Sequence, residues 1–211
     1  VGITTVITNG NYSNLGKSNA QKIVMQIIQK NVNRLMAAPA ILTLITEYCL
    51  KNNLKLEKVS KIFTGGGAIF LDFINNLKKV CPNADIVTLY GSTEAEPIAS
   101  FNINDLKNED IEKTQNGYGI LAGNIIGVED CRIIKITDKN IGRITEEELK
   151  QMETKDVGEI VVTGDNVLKG YVNGIGDEEN KFYVDMKTYH RTGDVGTIDE
   201  KGRLWLRGRI K

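Results

Sequence analysis

The sequence is short of several things. Only three prolines, three cysteines, one histidine and one tryptophan occur in 211 residues, and aromatics make up 6%. Cys49, Cys81 and Cys131 lie more than 30 positions apart, which fits neither the disulfide framework of a small secreted domain nor the close ligand pairs of a zinc site. Reduced thiols and a cytoplasmic setting are therefore expected. No run of 18 apolar residues is present to span a bilayer as a helix. The opening stretch VGITTVIT lacks the basic flank and small-residue cleavage site of a leader. Lys plus Arg total 27 and so do Asp plus Glu, so no net field favours nucleic acid or an anionic membrane, and binding must be local. What remains is 41% hydrophobic residues, enough for a core without metals or disulfides, as one large domain or two small ones. A start on Val1 within a strand-like run, and an end on Lys211 just past Gly208-Arg209, read as a fragment.

Up to about Leu89, short β-branched runs alternate with helical stretches, as crossover units do when they build a parallel sheet. Strands are expected at Ile3–Thr8, Asn33–Met36, Lys61–Thr64 and Asp85–Leu89. Helices are expected at Asn19–Lys30, at Ala40–Leu50 with Pro39 in its first turn, and at Leu71–Val80, ending before Pro82. A polar helix is expected at Asn102–Lys113. Beyond Gly117 the chain is punctuated by glycine, with strand-like runs at Arg132–Thr137, Glu159–Thr163, Lys181–Val184 and Gly202–Leu206. Thr145–Met152 is a helix opened by a capping box of Thr145 and Glu148. The fold class expected is α/β: a layered α/β subdomain with a largely parallel sheet over 1–116, then a small antiparallel β-barrel-like subdomain over 117–207.

Five segments are candidates for chemistry. Gly10–Ser18, GNYSNLGKS, looks like a phosphate-cradling loop, but Gly10 leaves five residues before Gly16 where four are required, so an exposed polar connection is expected instead. Gly65-Gly66-Gly67-Ala68 follows a strand and precedes a helix, the place where open α/β sheets bind ligands; a tight strand-to-helix turn explains it equally. The next strand ends in Tyr90-Gly91-Ser92-Thr93-Glu94, which offers an aromatic face for a base, a hydroxyl, and a carboxylate able to hold Mg²⁺, or else an ordinary strand end. Near the end come Tyr189-His190-Arg191-Thr192-Gly193-Asp194 and Gly208-Arg209. Asp194 can accept two ribose hydroxyls. Arg209 is a permanent cation suited to ribose or phosphate oxygens, or to a rim salt bridge. No local partner marks His190 as a metal ligand or base, and a packing role is expected for it.

Taken in order, TGGGA, YGSTE, GEIVVTGDNVLKGY, YHRTGD and GRLWLRGR resemble the adenylate-forming superfamily, which includes acyl-CoA synthetases, peptide-synthetase adenylation domains and luciferases. The helix VNRLMAAPAILTLITEYC is similar to the family's segment before the glycine turn. The resemblance implies a carboxylate that attacks the α-phosphate of Mg·ATP to give acyl-AMP and pyrophosphate, followed by capture of the acyl group, with CoA as the expected acceptor. It implies Gly65, Gly66 and Gly67 along the adenine and Tyr90 against its face, with Gly91 and Ser92 beside it. Thr93 would contact phosphate and Glu94 would hold Mg²⁺, Asp194 would bind the ribose hydroxyls, Arg209 would touch ribose or phosphate, and Lys211 would open a hinge over 208–211. YGSTEAEPIAS and YHRTGDVGTIDEKGRLWLRGR are similar to the branch of olefin β-lactone synthetases and fatty acyl ligases. A β-hydroxy acid closing on its own anhydride is thus an alternative to a fatty acid passed to CoA, and a non-catalytic nucleotide-binding module is another. The family's upstream phosphate loop and its C-terminal domain with the adenylation lysine have no counterpart here, so they are expected as parts of the same polypeptide, and the 211 residues alone are expected to be inactive.

Overall fold

The computed structural model describes residues 2–8, 17–67 and 70–210. The chain packs as two units, one through Thr88 and one from Leu89.

The first unit contains α1 (Lys17–Gln29), β1 (Arg34–Met36), α2 (Pro39–Lys51), β2 (Lys61–Gly65) and α3 (Leu71–Val80), and it ends within β3 (Asp85–Ser92). Each helix buries one stripe, as a 3.6-residue period requires: Ile23, Val24 and Ile27 on α1, Leu42, Ile45 and Cys49 on α2, and Ile74, Leu77 and Val80 on α3. Pro39 takes the first turn of α2, where its missing N–H costs nothing. In α3, Asp72 in the first turn and Lys78 and Lys79 in the last complement the helix dipole. β1 runs parallel to β2 with Leu35 opposite Ile62. The strand expected at Ile3–Thr8 does not form: residues 2–8 are irregular, with Ile3 60% and Ile7 79% exposed. β-branched residues make a strand only where a neighbour supplies ladder bonds and burial, and this segment has neither among the described residues. Most of GNYSNLGKS, together with Ala68 and Lys211, lies outside the described residues.

The second unit contains β4 (Ala95–Asn102), α4 (Asn108–Gln115), β5 (Ile120–Ile125), β6 (Asp130–Ile134), β7 (Gly142–Ile144), α5 (Glu146–Met152), β8 (Gly158–Thr163), α6 (Asp177–Asn180), β9 (Lys181–Val184), β10 (Lys187–Ile198) and β11 (Arg203–Arg209). Its strands run in the order β4-β5-β11-β10-β8-β6, all antiparallel. β9 adds to β10, and β7 pairs parallel with β9. Register shifts at Leu204/Trp205, at Val195/Gly196 and between Arg191 and Val195 are bulges of the kind that bend and twist a sheet. The core has two parts. Ile98, Ala122, Ile160, Val162 and Leu204 anchor one, and Ile134, Leu149, Val161, Phe182 and Tyr189 the other. This is the α/β fold class expected, with parallel pairing first and antiparallel strands after it.

One expected helix is divided, and buried polar bonds account for it. The helix expected over Asn102–Lys113 is a short 3₁₀ turn at Ile103–Asp105 followed by α4. Asp110 accepts the Lys107 N–H at 3.2 Å and both Arg203 guanidinium nitrogens at 3.1 and 2.7 Å, which fixes the helix start at Asn108. Among the described residues, no helix is long and apolar enough to cross a membrane.

Candidate functional site

Tyr90, Gly91 and Ser92 end β3, and Thr93 and Glu94 make the turn into β4, with Thr93 exposed. Gly91 is required here, because a Cβ would fall 2.7 Å from the Ala95 carbonyl oxygen. The segment after β8 is laced to this turn: the Leu168 N–H donates to the Glu94 carbonyl at 2.7 Å, and Ala95 bridges Val167. That brings Tyr171 to Glu94, and its hydroxyl donates to Glu94 Oε1 at 3.0 Å. Burial pushes the Glu94 carboxyl up, but its own backbone N–H and the Tyr171 hydroxyl outweigh burial and hold it below the ordinary range. In return, burial and the Glu94 carboxylate raise the Tyr171 phenol to about 12.

The other half of the constellation is built on β10. Tyr90 donates its hydroxyl to Asp194 Oδ2 at 2.9 Å across 104 positions of sequence. Burial, then the Asp194 charge, pushes the Tyr90 phenol far up, so it stays a donor. Asp194 is set by its backbone: its N–H donates to Thr192 Oγ1 at 3.1 Å, and the Thr192 hydroxyl donates to the Ile160 carbonyl at 2.9 Å. Gly193, at φ +70°, takes a conformation that side chains rarely adopt. Arg209 is the cross-strand partner of Asp194, with Nη1 3.5 Å from Oδ1, and its side chain is 68% exposed. An ion pair so open contributes little to stability and leaves the guanidinium available.

The structure thus brings Tyr90, Asp194 and Arg209 together and sets Glu94 on the turn four residues beyond Tyr90. Gly65 closes β2 in the first unit, and Gly66 and Gly67 are exposed after it. Of these, Gly66 needs its glycine, at φ +76°, whereas a Cβ on Gly67 would meet Pro39 at an ordinary 3.7 Å. Among the described residues no group of three His, Cys, Asp or Glu side chains can enclose a metal. An ionised, half-buried Glu94 suits a cation that takes one carboxylate and draws its other ligands from phosphate oxygens and water, as Mg²⁺ does.

Reasoning from the sequence missed Tyr171, Asp177 and Lys181. Asp177 Oδ1 accepts the Tyr171 N–H at 2.8 Å, and Lys181 Nζ lies 5.1 Å from the centre of the Tyr171 ring. Tyr171 stands within the GEIVVTGDNVLKGY stretch, so its position was visible though its bond was not. Nothing local marks Lys181, the first residue of a short apolar strand. A separate cavity of about 390 Å³ is lined by Glu109, Lys113, Tyr118 and Arg207 among others. Its aromatic wall is already covered by Lys113 at 5.2 Å and Arg207 at 4.9 Å.

His190 is 3% exposed, and its Nδ1 lies 3.1 Å from the Asn180 carbonyl oxygen, which assigns the proton to Nδ1. Burial first, then the charge of Lys181, pushes its pKa from 6.5 down to about 4, against the opposing pull of the Asn180 carbonyl and Glu94. The folded state therefore refuses a proton that the unfolded chain accepts. The resulting stability is complete above pH 6.5 and falls as the pH drops toward 4, by about 3 kcal/mol. Urea denaturation between pH 7.5 and 4.5 should show the wild type losing that increment relative to His190→Gln. Parallel profiles would contradict this assignment.

A family profile described as AMP-binding enzyme matches residues 1–172. An olefin beta-lactone synthetase of Stenotrophomonas maltophilia (strain K279a) is 26% identical over 216 residues, covering 99% of this chain and 38% of that protein. A 4-coumarate-CoA ligase of Narcissus pseudonarcissus is 26% identical over 192 residues, covering 89% of this chain and 31% of that protein. Among solved structures, a long-chain-fatty-acid-CoA ligase from Archaeoglobus fulgidus superposes with a TM-score of 0.67 at 22% identity, covering 91% of this chain and 37% of that one. The chain spans well under half the length of these relatives. With the profile matched over most of its length and the fold shared, the chain belongs to the AMP-binding, adenylate-forming enzyme family.

Proposed function

We propose that this chain supplies the adenosine-facing and metal-facing part of an enzyme that activates a carboxylic acid with ATP. In that reaction a carboxylate oxygen bonds to the α-phosphorus, the bond from that phosphorus to the bridging oxygen breaks, and pyrophosphate leaves with the electron pair. The observation that carries the reading is the 2.9 Å bond from Tyr90 to Asp194, with Arg209 beside it: an aromatic face, a diol acceptor and a cation in one place. Asp194 accepts the ribose hydroxyls, the Tyr90 ring lies against the base, and Arg209 meets ribose or phosphate oxygens. Thr93, exposed in the turn, contacts phosphate.

Glu94 is the residue that would hold Mg²⁺, which neutralises charge on the phosphates when bound. No side chain becomes covalent, since positioning and charge neutralisation are the main catalytic terms in displacement at phosphorus. The acyl group then passes to CoA. The match of 99% of this chain to a β-lactone synthetase supports a second reading, in which a β-hydroxy acid closes on its own mixed anhydride without CoA.

Calorimetric titration with AMP and with a non-hydrolysable acyl-adenylate analogue tests the proposal. Saturable binding of both is expected. Acid-dependent pyrophosphate release from the 211 residues is expected not to exceed that of Glu94→Ala. Failure to bind either ligand at millimolar concentration would overturn the nucleotide assignment, and pyrophosphate release above that control would overturn the expected inactivity of this chain alone.

A further inference from the structure

One buried charge in the second unit is not used by the roles proposed above. Lys181 is 2% exposed, and its Nζ has no hydrogen-bond acceptor among the described residues. Taking an ammonium out of water costs several kcal/mol, and an apolar side chain of similar length would fill the space without that cost. A lysine at this place should therefore act through its charge.

Its surroundings show on what. Nζ stands over the Tyr171 ring at 5.1 Å, a cation–π distance, and such contacts strengthen when desolvated. Burial, the largest influence, pushes the Lys181 ammonium below its ordinary range and Lys169 adds to that, while the negative charges of Asp177 and Glu94 oppose it. Lys169 is turned aside, its Nζ donating to the Gly164 carbonyl at 2.8 Å. The Tyr171 backbone is pinned by Asp177 Oδ1 at 2.8 Å, and Gly170 lies so close that a Cβ would meet Asp177 Oδ2 at 3.2 Å. Tyr171 is thus held at its backbone by Asp177 and at its ring by Lys181, and its free end, the hydroxyl, grips Glu94 Oε1 at 3.0 Å.

We propose that Lys181 is a positioning residue for Glu94: acting through the Tyr171 ring, its buried ammonium fixes the carboxylate in the one orientation that meets a divalent cation on the nucleotide phosphates. This rests on the reading of Glu94 as the Mg²⁺ carboxylate. The two residues lie 87 positions apart, and the Tyr171 phenol stands between them. Conformational freedom of a long acidic side chain is what a metal site must remove, and supporting contacts of this kind typically change metal affinity 10- to 100-fold.

The test is the gain in ATP affinity that Mg²⁺ confers, measured by calorimetry with and without the metal on the 211-residue chain. Glu94→Gln should abolish the gain. Lys181→Met and Tyr171→Phe should each reduce it about tenfold, with metal-free ATP affinity unchanged, and Lys181→Arg should restore most of it. Tyr171→Phe removes a single hydroxyl and keeps the question open to test if Lys181→Met fails to fold. Full retention of the gain in Lys181→Met and Tyr171→Phe, with loss in Glu94→Gln, overturns the positioning role and leaves the reading of Glu94 standing. A loss in Lys181→Met that Lys181→Arg does not restore, with Tyr171→Phe unaffected, also overturns it. Retention in Glu94→Gln, or no gain in the wild type, overturns both.

Discussion

Replacing Arg191 with methionine should cost the second unit about 3–5 kcal/mol of stability, while replacing Arg191 and Glu159 together should recover most of it. The asymmetry follows from burial. The Glu159 side chain is 2% exposed and receives Nε and Nη2 of Arg191 at 3.0 and 2.7 Å. Removing the cation leaves a carboxylate in the core with no counter-charge, and removing both takes that stranded charge away as well. The guanidinium also donates to the Thr137 carbonyl at 2.6 Å and the Lys139 carbonyl at 3.1 Å, so the single variant should additionally loosen the segment between β6 and β7. Chemical denaturation followed by the fluorescence of Trp205 reads this unit directly. A single variant within 1 kcal/mol of the wild type, or no more stable double variant, would contradict the account. Arg191 lies three residues before Asp194 on β10, so the same pair fixes the strand that presents the proposed ribose acceptor.

The second large effect concerns that acceptor. Asp194→Ala is expected to weaken AMP binding by about 10- to 100-fold, since hydrogen bonds to a charged group are worth about 1.5–3 kcal/mol. Tyr90 acts twice, and two substitutions separate its roles. Tyr90→Phe keeps the ring and loses only the hydroxyl that orients Asp194, so a loss of several-fold is expected. Tyr90→Ala also loses the face on which the base lies, worth about 1–3 kcal/mol. The order Ala weaker than Phe weaker than wild type, measured by calorimetry with AMP, is the expected result. Tyr90→Phe binding more tightly than wild type would mean that the Tyr90 hydroxyl competes with ribose for Asp194 instead of orienting it.

Helices declared themselves in the sequence more clearly than strands. α3 runs over Leu71–Val80 as its apolar spacing and the following Pro82 required, and α5 opens on the capping box of Thr145 and Glu148, with the Thr145 N–H donating to Glu148 Oε2 at 2.8 Å. The runs that became β4, β5 and β10 were not legible as strands. Pro97 interrupts the first, Gly123 the second, and YHRTGD reads as a polar motif with a glycine inside it. Yet β10 is a central strand, because its polar groups find partners that no local pattern shows: the Arg191 side chain donates to Glu159, the Thr192 hydroxyl donates to the Ile160 carbonyl, and the Thr188 carbonyl accepts from the Thr163 hydroxyl. Likewise Tyr90, Asp194 and Arg209 could be nominated from their residue types, but Lys181 could not, since its importance lies in a ring ten residues earlier and a carboxylate on another strand's turn.

The most direct test compares AMP with 2′,3′-dideoxy-AMP on the wild type and on Asp194→Ala, a cycle that isolates one contact. The account predicts that losing the ribose hydroxyls weakens binding about tenfold or more in the wild type and has almost no effect in the variant. An equal penalty in both proteins would show that the ribose does not meet Asp194, and the proposed nucleotide site would fall with it.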